Sequence, residues 1–255
     1  VLITASYDNT DQRTPRWLIA LLWFVLSAVA AIGLLALQAL IGADVVAAVM
    51  FAPAIGTGIC WLIWRDRALP HLESATGRAL LGSLALGLVY VLVAGIVMVP
   101  GSPGPGTDLM TVFRPAGVPV LVFVLAQILG AAGEELGFRG ILLHNLAARI
   151  PVPAAVLVTG ALFGIWHVQY YALGLPTMLV FIAGTIGMTA AIAAIMTGSL
   201  WQRMLSAALV HAGLNLLGTA TGAGLLHFGL AALAGGVVVV PIAIGLRRTG
   251  LSDAR

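Results

Sequence analysis

The sequence predicts an all-α, polytopic membrane protein of about eight transmembrane helices in one bundle. The chain of 255 residues is 61% hydrophobic and only 8% charged, with a mean hydropathy of +1.09, outside the range of water-soluble domains. Apolar runs of roughly twenty residues, the length that crosses a bilayer core, recur from end to end. The cations are all arginine, with no lysine, and apart from Arg139 they stand singly or in pairs outside the apolar runs. Despite a pI of 9.6, such scatter forms no basic patch, so no nucleic-acid partner is expected and the arginines read as topology signals. Arginine without lysine, beside abundant Ala and Gly, suggests a high-GC bacterial gene.

Residues 1–16 are expected to form a cytoplasmic arm ending in Arg13 and Arg16. The apolar run from Trp17 to Ile41 exceeds the roughly 7 to 15 apolar residues of a signal peptide, so it reads as a retained first span. A second span, about Val45 to Trp64, should be kinked at Pro53 and stops at Arg65-Asp66-Arg67. The third covers Ala79 to Val99. Pro100 to Gly106 cannot continue a helix and should be a surface loop reaching Pro115; it lacks the Walker ending, so no nucleotide is expected. The fourth span runs from Val118 to Leu146, and Pro151 and Pro153 separate it from a fifth that reaches Tyr171. A sixth (Thr177 to Met196), a seventh (Met204 to Leu217) and an eighth (Leu225 to Leu246) follow, so that residues 17–246 form the transmembrane domain and 247–255 a cytoplasmic tail.

Arginine placement tests that count. With the N-terminus inside, the cytoplasmic segments hold Arg13, Arg16, Arg65, Arg67, Arg78, Arg149, Arg203, Arg247, Arg248 and Arg255, and the outer loops hold Arg114. The positive-inside rule therefore supports eight spans of a plasma (inner) membrane protein with both termini cytoplasmic. Trp17, Trp61, Trp64 and Trp201 fall at cytoplasmic helix ends, where interface anchors belong. Cys60 lies in an apolar segment and should pack there; a single cysteine excludes an internal disulfide.

The fourth span carries Glu134, Glu135 and Arg139 in an otherwise apolar run. A charge near the middle of a span costs roughly 3 kcal/mol on insertion scales, while a Leu, Ile, Val or Phe returns only about 0.3 to 0.6. Glu135 and Arg139, at i and i+4, should neutralise each other inside the bundle as a structural ion pair. Glu134, about 100° around the helix, points away from that pair and needs another partner. Other polar residues within spans are His167 in the fifth and His211 and Asn215 in the seventh, the latter two on one helical face. Gly133 with Gly137, and Gly160 with Gly164, are small-x-x-x-small pairs that should let the fourth and fifth helices approach, bringing Glu134 towards His167. His211 stands only about 12 Å beyond Arg203 at 1.5 Å per residue, shallower than Glu134, so the seventh helix should start deeper or tilt. His71, His144 and His227 lie in or near loops or helix ends and read as ordinary, as do Phe163 and Trp166 as packing residues.

Glu134-Glu135-Leu-Gly-Phe-Arg139, Phe163-Gly-Ile-Trp-His167 and His211-Ala-Gly-Leu-Asn215 resemble the three motifs Glu-Glu-x-x-x-Arg, Phe-x-x-x-His and His-x-x-x-Asn of the CPBP family, the CAAX-protease and bacteriocin-processing intramembrane peptidases. The resemblance covers about 131–215. It implies a glutamate-type endopeptidase in which Glu134, assisted by His167, activates a water, His211 and Asn215 stabilise the oxyanion, and Glu135 and Arg139 brace the fourth helix. The implied substrate is a membrane-embedded or membrane-associated peptide, and no cofactor is implied. Three rivals stand beside it. Glu134, His167 and His211 could instead ligate zinc, although the helical His-Glu-x-x-His signature is absent. The polar centre could serve a non-catalytic immunity or partner-binding protein. A transporter would also bury Glu and His, but the sequence shows no inverted repeat.

Overall fold

The computed structural model describes residues 15–41, 47–69, 71–102 and 119–249, and every regular element among them is helical. In chain order these are α1 (Arg16–Ile41), α2 (Ala52–Trp64), α3 (Gly77–Met98), α4 (Val120–Ala147), α5 (Val152–Trp166), α6 (Leu175–Ile195), α7 (Leu200–Thr221) and α8 (Leu225–Arg248). Six are long and apolar enough to cross a membrane, as befits a multi-pass membrane protein; α2 with its leading turn (Ala48–Trp64) and α5 are shorter apolar helices. The expected arm at 1–14, the loop around Arg114 and the tail beyond Thr249 lie outside the described residues.

Pro53 does not kink α2. It stands in the first turn, after the 3-10 turn Ala48–Phe51, where a missing N–H costs nothing because that donor has no helical partner anyway. Its carbonyl accepts from Trp23 Nε1 (3.2 Å) and Thr57 Oγ1 (2.8 Å), which fastens α2 to α1. α7 starts about a turn earlier than the apolar run suggests, because Ser199 and Gln202 form a capping box ahead of Leu200. That start carries His211 to about 16 Å from the helix N-terminus and removes most of the depth mismatch with Glu134. Gln202 also bonds both backbone groups of Ala75 (2.8 and 3.0 Å), tying the α2–α3 connection to the start of α7.

The glycine pairs do bring backbones together, but not α4 with α5. A Cβ at Gly160 would meet Ile186 Cα at 2.6 Å, and one at Gly164 would meet Ile182 Cα at 2.9 Å, so both face α6. Gly137 faces Trp23 of α1 and Pro53 of α2, with a Cβ falling 2.6 Å from Pro53 Cβ, and Gly133 faces Met50 and Ala54. A further glycine-lined contact went unread in the sequence: Gly184 and Gly187 of α6 lie on Gly229 and Gly236 of α8, and a Cβ at Gly236 would sit 2.8 Å from Gly187 Cα. Without a solvent-driven force between helices in lipid, such close approach is a main source of packing energy.

Gly229→Val should therefore lower the melting temperature of the detergent-solubilised protein, since its Cβ would meet Phe181 Cα at 3.0 Å and overpacking costs about 1–3 kcal/mol. Gly82→Ala, with nothing within 4 Å, should leave the melting temperature unchanged or raise it. Equal effects of the two substitutions in thermal scans would contradict this packing.

Candidate active site

α4 is α-helical to Glu135, then π-helical over Leu136–Leu143. The wider turn falls directly after the two carboxylates, and π-helical turns gather at functional sites. Glu135 is fully buried and its Oε1 is the hub: Arg139 Nη1 donates to it from 2.8 Å and His211 Nδ1 from the same distance. Arg139 also donates from Nη2 to Thr189 Oγ1 on α6 (2.9 Å) and lays its guanidinium 4.8 Å from the centre of the Phe163 ring. Glu135 Oε2 and Arg139 Nε have no protein partner.

The partner of Glu134 is the far side of the same imidazole. His211 Nε2 stands 3.3 Å from Glu134 Oε2, so one ring bridges two consecutive carboxylates through its opposite nitrogens. Because Nδ1 faces an acceptor that also receives Arg139, Nδ1 carries a hydrogen. The Nε2 contact is then attractive only if one further proton lies between His211 and Glu134. With that proton counted, Glu134, Glu135, Arg139 and His211 sum to zero charge, the condition for holding them together inside a membrane.

His167 is reached differently from the expectation. The fifth span does not run helically to Tyr171: α5 ends at Trp166, and a 3-10 helix covers Val168–Leu173. The His167 ring causes the switch. Its Nδ1 donates to Phe163 O at 2.8 Å, occupying the carbonyl that its own amide would use in an α-helix, and the amide bonds Gly164 O instead (3.2 Å). The tautomer is thereby set, and Nε2 is the nitrogen available to a water or substrate. Tyr170 stacks on the ring at 5.5 Å with an interplanar angle of 8°. Asn215 Nδ2 donates to Gln127 Oε1 of α4 at 3.3 Å.

Glu134, His167, His211 and Asn215 line one cavity of about 1010 Å³, and Gln127 and Tyr170 share its wall. Glu135 is not among the lining residues and stands with Arg139 behind Glu134. The fourth helix therefore sends one carboxylate into the cavity and keeps the other for the ion pair. Among the described residues no three His, Cys, Asp or Glu side chains are grouped as a metal site. His144 is buried near the end of α4, away from this cavity. Sequence reasoning missed Gln127, Tyr170 and Thr189. Gln127 carried a signal, being polar within an apolar run and two turns before Glu134 on the same face. Thr189 carried none, since a threonine in a span satisfies itself on the i−4 carbonyl, as this one does on Thr185 O (2.7 Å).

Arg139→Ala would strand Glu135 with the imidazole alone, and breaking a buried pair costs about 3–5 kcal/mol. The expected outcome is a collapse of folded yield, read as the monodisperse peak in size-exclusion chromatography of detergent extracts. A variant with wild-type yield and melting temperature would show that the pair does not hold the bundle.

Comparison with known proteins bears on the same stretch. No curated protein matches the chain. Residues 116–217, which contain all three motifs, match the family model described as type II CAAX prenyl endopeptidase Rce1-like. Over that stretch the chain is similar to the Rce1-like CAAX proteases.

Proposed function

We propose that the protein is an intramembrane endopeptidase that hydrolyses a peptide bond of a membrane-embedded or membrane-associated peptide, using a water activated by Glu134 and no metal. We place it in the inner membrane with both termini cytoplasmic, on the arginine bias of its loops. The observation that carries the reading is the convergence of Glu134, His167, His211 and Asn215 on one cavity, from α4, the end of α5 and α7.

The chemistry follows from which atoms are already committed. When the proton between Glu134 and His211 rests on His211, Glu134 is a carboxylate able to take a proton, and His211 is an imidazolium donor. One arrangement thus prepares both the base and a charged donor for the oxyanion. A water in the cavity donates one hydrogen to Glu134 and the other to His167 Nε2, which leaves its lone pair free for the scissile carbonyl carbon. As the C–O bond forms, the proton passes to Glu134 and the carbonyl electrons to the oxygen. That oxyanion accepts from His211 Nε2–H and from the Asn215 Nδ2 hydrogen not used by Gln127. Collapse of the intermediate breaks the C–N bond, and Glu134 returns the proton to the leaving amine. A positioned base contributes about 10² to 10⁴ in rate, and an oxyanion donor in a site closed to water about 3–4 kcal/mol.

Glu134→Gln keeps the size of the side chain and loses the base, so cleavage should fall at least about a hundredfold with fold intact. The measurement is N-terminal proteomics of membranes from cells expressing either form, with circular dichroism and thermal scans as the check on folding. New peptide termini made equally by the variant would defeat the proposal. Chelator should leave cleavage by purified protein unchanged; loss restored by zinc would replace this mechanism with a zinc-dependent one on Glu134, His167 and His211. No cleavage by either form would favour a binding or immunity role.

A further inference from the structure

The cavity has a direction, and the arginines show which way it faces. α1 begins at Arg16, and its lining residues run toward Gln38 at the other end. α2 runs into Arg65, yet it meets the cavity at Met50, just ahead of its first turn. α4 ends close to Arg149, and its contributions are Gln127 from the half remote from it and Glu134 from its middle. The chain lines the cavity at Tyr170 only after α5 has carried it away from Arg149. α7 starts beside Arg203 and lines the cavity beyond its middle, as far as Thr219. α8 ends at Arg248 and lines it from Leu225 onward.

The arginine-bearing ends lie together. Arg247 Nη2 donates to Met196 O (3.2 Å), Asn145 Nδ2 to Ala68 O (3.3 Å) and Gln202 Nε2 to Ala75 O (3.0 Å), which joins the ends of α8 and α6, of α4 and α2, and the starts of α7 and α3 at one face. Glu134 lies about 20 Å from Ala147 and about 21 Å from Val120, at the middle of α4. The cavity continues from there to the opposite face, where exposed Gln169 and Leu173 form part of its wall. Its wall is mainly apolar, with Phe24, Phe181 and Phe228 around the acidic centre.

We propose that the site opens to the extracytoplasmic side of the membrane and that its substrate is an apolar peptide segment presented there, the exported part of a protein and not a cytoplasmic tail. The side of opening rests on charge placement and cavity direction alone; the word substrate rests on the endopeptidase reading above. Arginine bias orients the arginine face inward. A peptide entering from the other face meets Tyr170, His167 and Gln127 before it reaches Glu134.

The test is cysteine accessibility in a Cys60→Ala background, with Gln169→Cys at the mouth and Glu73→Cys in the α2–α3 connection on the arginine face. Spheroplasts and inverted membrane vesicles are treated with a membrane-impermeant maleimide. Gln169→Cys should be modified in spheroplasts and protected in inverted vesicles, and Glu73→Cys the reverse. Modification of Gln169→Cys only in inverted vesicles would overturn the proposal. So would its protection from both sides when the denatured protein reacts fully, because the mouth would then be closed to water. The same positions carried with Glu134→Gln should label identically, so a failed endopeptidase reading leaves this readout unmoved. Where cleavage is detected, new termini should lie in extracytoplasmic segments; termini in cytoplasmic tails would refute the substrate assignment.

Discussion

The cost of an unpaired charge in a low-dielectric interior governs the centre of this bundle. Each bared ion there costs several kcal/mol, whereas an ordinary hydrogen bond contributes about 0.5–1.5. No arrangement that separated Glu135 from Arg139, or both from His211, could be rescued by the packing around them. The ion pair therefore dictates where α7 stands against α4. Arg139 extends the constraint to α6 through Thr189, Thr189 bonds Thr185 O, and Thr185 Oγ1 bonds Gly160 O of α5 at 2.9 Å. One chain of polar contacts thus passes from the charge cluster through α6 to the helix that carries His167.

The π-helical stretch belongs to the same constraint. Its hydrogen-bond geometry is poorer than that of an α-helix, so it persists only where side chains hold it. Phe138 is held by Trp23 at 5.1 Å and Phe163 at 4.7 Å between ring centres. Arg139 is held by Glu135 and Thr189, and Gly137 has no Cβ to strike Pro53. The residues that fix the turn are those of the Glu-Glu-x-x-x-Arg motif and its immediate neighbours.

The sequence made the helix order legible because hydropathy in a membrane protein is a strong signal: apolar runs must be long, and their interruptions must be polar. The i,i+4 pairing of Glu135 with Arg139 was legible for the same reason, since helical periodicity is local. What lay beyond it was partner choice. Gly160 and Gly164 announced a close contact but could not say with which helix, and the answer is α6. His167 announced a polar group, while the way its ring diverts the backbone into a 3-10 turn depends on one side-chain bond with no periodic signature. The π-helix likewise has no composition of its own. Gln127 could have been found by asking which polar residues share a face with Glu134.

Glu134 and Glu135 are chemically the same side chain, one residue apart, and the fold gives them opposite surroundings. Helical rotation of about 100° turns Oε1 of Glu135 to Arg139 and His211, and leaves Glu134 on the cavity wall with the imidazole beside it. The Glu135 carboxylate is pinned by two donors behind the cavity wall, and the Glu134 carboxylate faces the cavity beside the imidazole. The imidazole couples the two, since its Nδ1 bond to Glu135 fixes the ring and so aims Nε2 at Glu134. Arg139, buried behind Glu134 and outside the cavity wall, therefore acts on the cavity at a remove: it holds Glu135, Glu135 holds His211, and His211 stands against the carboxylate that faces the cavity.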